Sequence, residues 1–78
     1  MTEEKYVRVE VAVFARQMEA TMQEHDPIKG DTWKYCQIGF LEHKLEEEIE
    51  EYKHGGRNPD ELIDIANICM MLWNRRQK

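Results

Sequence analysis

The chain has 78 residues, and its 16 acidic and 11 basic side chains give a formal net charge of −5. This length suits one domain, 1–78, and the acidic balance disfavours nucleic-acid binding, because phosphate backbones require a basic surface. No apolar run approaches the roughly 18 residues of a membrane span, and the opening MTEEKYVRVE lacks the apolar core of a signal peptide. We therefore expect a cytoplasmic protein with no membrane or nucleic-acid partner.

A chain of this size rarely buries enough core to be stable alone. Its two cysteines, Cys36 and Cys69, lie far apart, and their spacing indicates neither a disulfide framework nor a metal site. Both are expected to be reduced, buried thiols. Since the cysteines indicate neither a disulfide nor a structural metal site that would stabilise the fold, we expect a homo-oligomer.

The first predicted helix runs from about Tyr6 to Glu24, where apolar side chains recur at roughly helical spacing. The alternation of valines over 7–13 leaves a strand as the weaker alternative. The segment 25–31 contains a proline and a glycine, which stop helices. Asp31 or Thr32 can then cap a second helix that runs to about Lys53.

A Gly-Gly pair at 55–56 ends the second helix. Asn58 and Pro59 are typical of a helix start, and the third helix is predicted to run from Pro59 to about Arg76. The basic residues of this last turn are expected to complement the helix dipole.

The third helix is apolar around nearly its whole circumference. Its main apolar face is predicted to be the core face, with further apolar residues elsewhere. That face contains Leu62, Ile65, Ala66, Cys69, Leu72 and Trp73. A helix apolar on several sides is buried on several sides, and in so short a chain part of that burial must come from another subunit. The predicted fold is all-α: a short bundle of three main helices, completed as a four-helix-type core by dimerisation.

The acidic residues are concentrated at the end of the second helix and the start of the third. Glu48 and Glu51 are three residues apart and share a helix face, as do Glu61 and Asp64. A tight turn packs the two helices antiparallel, so these pairs can meet. Four converging carboxylates repel one another unless a hard divalent cation binds, and Mg²⁺ suits phosphate chemistry. The alternative is a solvated acidic face.

These residues resemble a family signature. Residues 47–51 and 61–64 are similar to the EExxE…ExxD motif of the all-α NTP pyrophosphatase superfamily, in particular its MazG-like members. Residues 29–33, KGDTW, resemble the Lys-Gly and Trp segment that precedes the acidic helix in small MazG-like proteins. Residues 64–72, DIANICMML, resemble the helix that follows. The resemblance covers about 29–72.

The resemblance implies a Mg²⁺-dependent nucleoside triphosphate pyrophosphohydrolase, with Mn²⁺ as an alternative ion, that forms a nucleoside monophosphate and pyrophosphate from an NTP or dNTP. It implies a homodimer or a dimer of dimers. The matched metal ligands are Glu48, Glu51, Glu61 and Asp64, and the candidates for the catalytic base are Glu47 and Glu51. The matched substrate-binding residues are Lys29, which resembles a phosphate contact, Trp33, which resembles a stacking surface for the base, and Asn67. Apart from the resemblance, the charge of Lys44 makes it a further candidate for holding the triphosphate.

Two other interpretations of the sequence remain open. The first is a non-catalytic helical homodimer that acts as an interaction module. The second, a DNA-binding regulator, is weak because of the net charge. Base preference and biological role, including nucleotide-pool cleansing, are not indicated by the sequence.

Overall fold

The computed structural model describes residues 7–77, and these form three α-helices and one short 3₁₀ helix, with no strand among them. Helix α1 spans Val9–His25, α2 spans Ile38–His54 and α3 spans Pro59–Arg75; the 3₁₀ helix is Thr32–Lys34. The all-α prediction is confirmed for these residues, and the strand alternative for the N-terminal valines is wrong. None of the described helices is long and apolar enough to cross a membrane.

The predicted start of the second helix is wrong. Thr32 opens a 3₁₀ helix of three residues, and α2 begins only at Ile38, after Gln37, with no side-chain cap. The backbone N–H groups of Tyr35 and Cys36 both bond to the Thr32 carbonyl, so the turn closes locally and does not continue as an α-helix. The segment between α1 and α2 is therefore longer than the sequence indicated.

The turn between α2 and α3 follows the prediction closely. Gly55 donates its N–H to the Glu51 carbonyl at 2.8 Å, and Gly56 takes the left-handed conformation with φ 91°. Asn58 then caps α3, because its Oδ1 accepts from the Asp60 N–H at 2.9 Å. A four-residue connection, 55–58, brings the end of α2 beside the start of α3, and the two helices pack together.

Very little of the chain is fully buried. Leu41 and Ile68 are the buried apolar residues of the described part, at 3% and 7% exposure, and α1 has no buried residue. The radius of gyration is 13.7 Å, against about 11–12 Å for a compact chain of this length. The three helices thus form an open assembly in which α3 lies between α1 and α2.

The face of α3 that turns inward differs from the predicted one. Asn67 and Ile68 are buried, whereas Leu62, Cys69 and Trp73 are exposed. The prediction that both cysteines are buried is therefore wrong for Cys69; Cys36 is half-buried. Half of the predicted apolar face of α3 is therefore exposed, while its other members, Ile65, Ala66 and Leu72, are half-buried.

Gly55 is expected to be intolerant of a side chain, because a Cβ there would lie 2.5 Å from the Glu51 carbonyl oxygen. Gly55→Ala should lower the free energy of unfolding by about 1–3 kcal/mol, as in other substitutions that force backbone movement. Thermal melts followed by circular dichroism measure this. The matched control is Gly39→Ala in the first turn of α2, where a Cβ meets nothing within 4 Å and the better helix propensity of alanine should leave the melting temperature unchanged or higher. Equal melting temperatures for the two variants would contradict the steric account.

Candidate active site

One cavity of about 580 Å³ lies where α1, the connecting segment (residues 26–37, between α1 and α2) and the facing sides of α2 and α3 meet. Its walls are largely apolar, with Met22, Phe40, Leu41 and Met71 among them. Six of the predicted site residues line it: Lys29, Trp33, Lys44, Glu48, Asp64 and Asn67. The structure therefore brings together residues that are up to 38 positions apart in sequence (67 − 29).

Glu48 is the central acid of this site. Its side chain is only 12% exposed. Burial, and then the negative charges of Glu51 and Asp64, raise the pKa of its carboxyl above the ordinary 4.5, while Lys44 acts in the opposite direction. The Lys44 Nζ lies 3.6 Å from a Glu48 oxygen. Asp64 of α3 therefore lies close enough to Glu48 of α2 for its charge to act on that carboxyl.

Glu47 and Glu51 lie on the outer side of this group. Glu47 pairs with His43 at 3.1 Å and with Lys44 at 3.9 Å. Both glutamates line a shallow depression on α2, outside the main cavity. Of the two candidate bases, Glu51 is the one whose charge acts on Glu48.

Glu61 lies at the turn, beside Gly55. One of its carboxylate oxygens is 3.8 Å from the position that a Cβ on Gly55 would occupy. Its other oxygen, Oε1, is buried without a hydrogen-bond partner among the described residues. A buried acceptor without a donor is costly, and in native proteins it commonly indicates a missing water or ion.

Asn67 and Trp33 are further polar side chains with buried, unpartnered atoms at the cavity. The amide nitrogen of Asn67 donates to the Met18 carbonyl at 3.2 Å, which joins α3 to α1. A carbonyl only accepts, so this bond determines which way the amide faces and leaves Oδ1 without a partner among the described residues. The indole Nε1 of Trp33 also lacks one there.

Within 7–77, no group of three or more His, Cys, Asp or Glu side chains is arranged to hold a metal ion. The donor chemistry nevertheless fits a hard divalent cation: Glu48 is buried beside two other negative charges, and Glu61 has an oxygen in need of a positive partner.

Arg75 is a residue of this region that the sequence does not reveal. Its place in the last turn of α3 predicts only an interaction with the helix dipole, but its guanidinium donates to the Trp33 carbonyl at 2.7 Å. The two residues are 42 positions apart, and no local pattern connects them.

No protein-family model, curated protein or solved structure matches this chain.

Glu48→Gln is expected to stabilise the protein at neutral pH when divalent cations are absent. A carboxyl whose pKa is raised by folding contributes stability that is fully present below its unfolded pKa and lost as the pH rises through the folded pKa. Ionised Glu48 is therefore unfavourable at pH 7, even with Lys44 beside it, and glutamine removes that charge. Melting temperatures in EDTA should be higher for the variant at pH 7, with the difference shrinking towards pH 4. A variant less stable than the wild type at pH 7 would show that the ionised carboxylate is not destabilising.

Proposed function

We propose that this protein is a nucleoside triphosphate pyrophosphohydrolase that requires Mg²⁺, or Mn²⁺ in its place, and releases a nucleoside monophosphate and pyrophosphate. The observation that carries the proposal is the composition of the cavity. It combines acids from two helices, two lysines and an apolar wall with a tryptophan. A polyphosphate joined to a flat, aromatic nucleobase is complementary to that combination.

The acids are the proposed metal ligands: Glu48, Glu51, Glu61 and Asp64. A bound Mg²⁺ would supply positive charge that offsets the negative charge developing on the phosphates during hydrolysis. The protein's own contribution is to hold these acids together, although they repel one another when no cation is present. The pKa of Glu48 is raised first by burial of its carboxyl and then by this repulsion from Glu51 and Asp64.

The lysines and the apolar wall are the proposed substrate-binding groups. Lys44, between Glu47 and Glu48, and Lys29, on the connecting segment, provide positive charge for the phosphates. Trp33 provides a surface for base stacking, and Asn67 a buried amide in the same cavity. The cavity volume of about 580 Å³ is within the range of small-molecule sites.

The proposed reaction adds water across the bond between the α- and β-phosphates. A water oxygen bonds to phosphorus, the bridging P–O bond breaks, and a carboxylate accepts the proton from the water. Glu51 is the favoured base because its charge acts on Glu48, whereas Glu47 is paired with His43. Glu47 remains the alternative.

A homodimer is part of the proposal. Leu62, Cys69 and Trp73 leave an apolar face of α3 exposed, and the single chain buries too little to be stable alone. A second copy of the chain would cover that face and complete a four-helix-type core. A dimer of dimers is compatible with the same face.

The rival function is the non-catalytic helical homodimer. One observation favours it: no described group of acidic, histidine or cysteine side chains has converged to a metal-holding arrangement. The rival predicts the same dimer without any response to Mg²⁺ or nucleotides.

A panel of NTPs and dNTPs with Mg²⁺ should release pyrophosphate with at least one substrate. Glu51→Gln should lower kcat by at least about 100-fold, the lower end of the usual contribution of a general base. Glu42→Gln is the matched control, because Glu42 is an exposed acid of the same helix that lines neither the cavity nor the depression on α2, and its replacement should leave kcat unchanged. If no NTP or dNTP releases pyrophosphate with either Mg²⁺ or Mn²⁺, the proposed pyrophosphohydrolase activity is excluded.

Melts in Mg²⁺ separate the enzyme from the rival independently of turnover. Saturation at 100 times Kd stabilises a protein by about 2.7 kcal/mol, and Asp64→Asn should abolish that gain. Indifference of the wild type to both ions would favour the interaction module.

Trp73→Glu is expected to convert the dimer to a monomer, because it places a charge in the apolar face of α3. Trp73 is 65% exposed in the single chain. Sedimentation equilibrium measures the change. Tyr35→Glu is the matched control: Tyr35 is an aromatic that is 84% exposed, but it lies off that face, and its replacement should leave the dimer intact. A wild-type protein that sediments as a monomer would contradict the proposed assembly.

A further inference from the structure

The connecting segment, residues 26–37, carries two of the proposed substrate-binding side chains, Lys29 and Trp33. It contains a single short 3₁₀ helix, and most of its residues are exposed. Apart from its 3₁₀ turn, it has no regular structure of its own to hold those side chains over the cavity.

Hydrogen bonds within this segment are almost entirely local. Its backbone bonds join residues three or four apart, and Lys34 pairs with Asp31 at 3.5 Å. Among the described residues, the hydrogen bonds that tie it to a distant part of the chain all come from Arg75.

Arg75 is the last residue of α3 and is half-buried. Its Nη1 donates to the Trp33 carbonyl at 2.7 Å and lies 3.9 Å from the Cys36 sulfur. The Cys36 thiol donates to the same carbonyl at 3.7 Å. The carbonyl of Trp33 is therefore held from two sides, and the stronger donor is a charged group on another helix.

We propose that Arg75 is a positioning residue for the nucleotide. It holds the connecting segment against α3, and so keeps Trp33 and Lys29 facing the acids of α2 and α3. This inference rests on the proposed function for its consequence in binding. Arg75 does not line the cavity, so its effect passes through Trp33.

The position of Arg76 provides a control within the same helix end. Arg76 pairs with Glu42 at 2.9 Å, and both side chains are more than half exposed. It joins the end of α3 to α2 without touching the connecting segment. An exposed pair of this kind contributes little.

Steady-state kinetics of Arg75→Ala, Arg75→Lys and Arg76→Ala test the proposal. Loss of a charge-assisted hydrogen bond of about 1.5 kcal/mol corresponds to roughly a tenfold change. We expect Arg75→Ala to raise KM for the nucleotide about tenfold with kcat changed less than twofold. Arg75→Lys should recover part of the loss in KM, because the lysine ammonium is still a charged donor for the Trp33 carbonyl. Arg76→Ala should match the wild type. The positioning role would be overturned if Arg75→Ala left KM unchanged, or if it lowered kcat by as large a factor as it raised KM.

Tryptophan fluorescence provides a readout that needs no turnover. In a Trp73→Phe background only Trp33 emits, since the chain has two tryptophans. Adding Arg75→Ala should shift the emission to longer wavelength and increase quenching by acrylamide, while Arg76→Ala should change neither. Unchanged Trp33 emission and quenching would overturn the claim that Arg75 holds the segment. If the wild type hydrolyses no nucleotide but the fluorescence changes as expected, the proposed function fails and the structural role of Arg75 stands.

Discussion

The packing of α2 against α3 through a four-residue turn determines the rest of the structure. The turn is possible because Gly55 has no Cβ to meet the Glu51 carbonyl and because Gly56 reverses the chain with a positive φ. It places two acidic segments side by side at the point where the chain reverses. Burial of Glu48 next to Glu51 and Asp64 is a direct result. Such an arrangement lowers stability on its own and becomes favourable when positive charge is added, which is a property of sites that bind cations.

The parts of the fold that depend on local chemistry could be predicted from the sequence. The Gly-Gly turn and the Asn58 cap each depend on residues a few positions apart, and both are present. The start of α2 could not be predicted in this way. Asp31 and Thr32 have good capping side chains, but the local hydrogen bonds of the 3₁₀ turn close the chain there, and α2 begins without a cap.

The orientation of α3 is harder to predict because hydrophobicity alone does not say which neighbour covers which side. The side with Leu62, Cys69 and Trp73 is the more apolar, yet the side with Asn67 and Ile68 faces the chain's own helices. The amide of Asn67 is buried while the indole of Trp73 is exposed, because Asn67 donates a hydrogen bond to the Met18 carbonyl of α1. Contacts between distant residues, such as Arg75 with Trp33, have no counterpart in any local pattern and need the folded arrangement.

The weak attachment of α1 has a consequence for access to the cavity. This helix has no buried residue, and the hydrogen bond from Asn67 to the Met18 carbonyl joins it to α3. Met22 and His25 of α1 form part of the cavity wall. Elements with few buried contacts open at a lower free energy than the whole domain unfolds. Entry of a molecule would then need only partial undocking of one helix, while the acids on α2 and α3 stay in register.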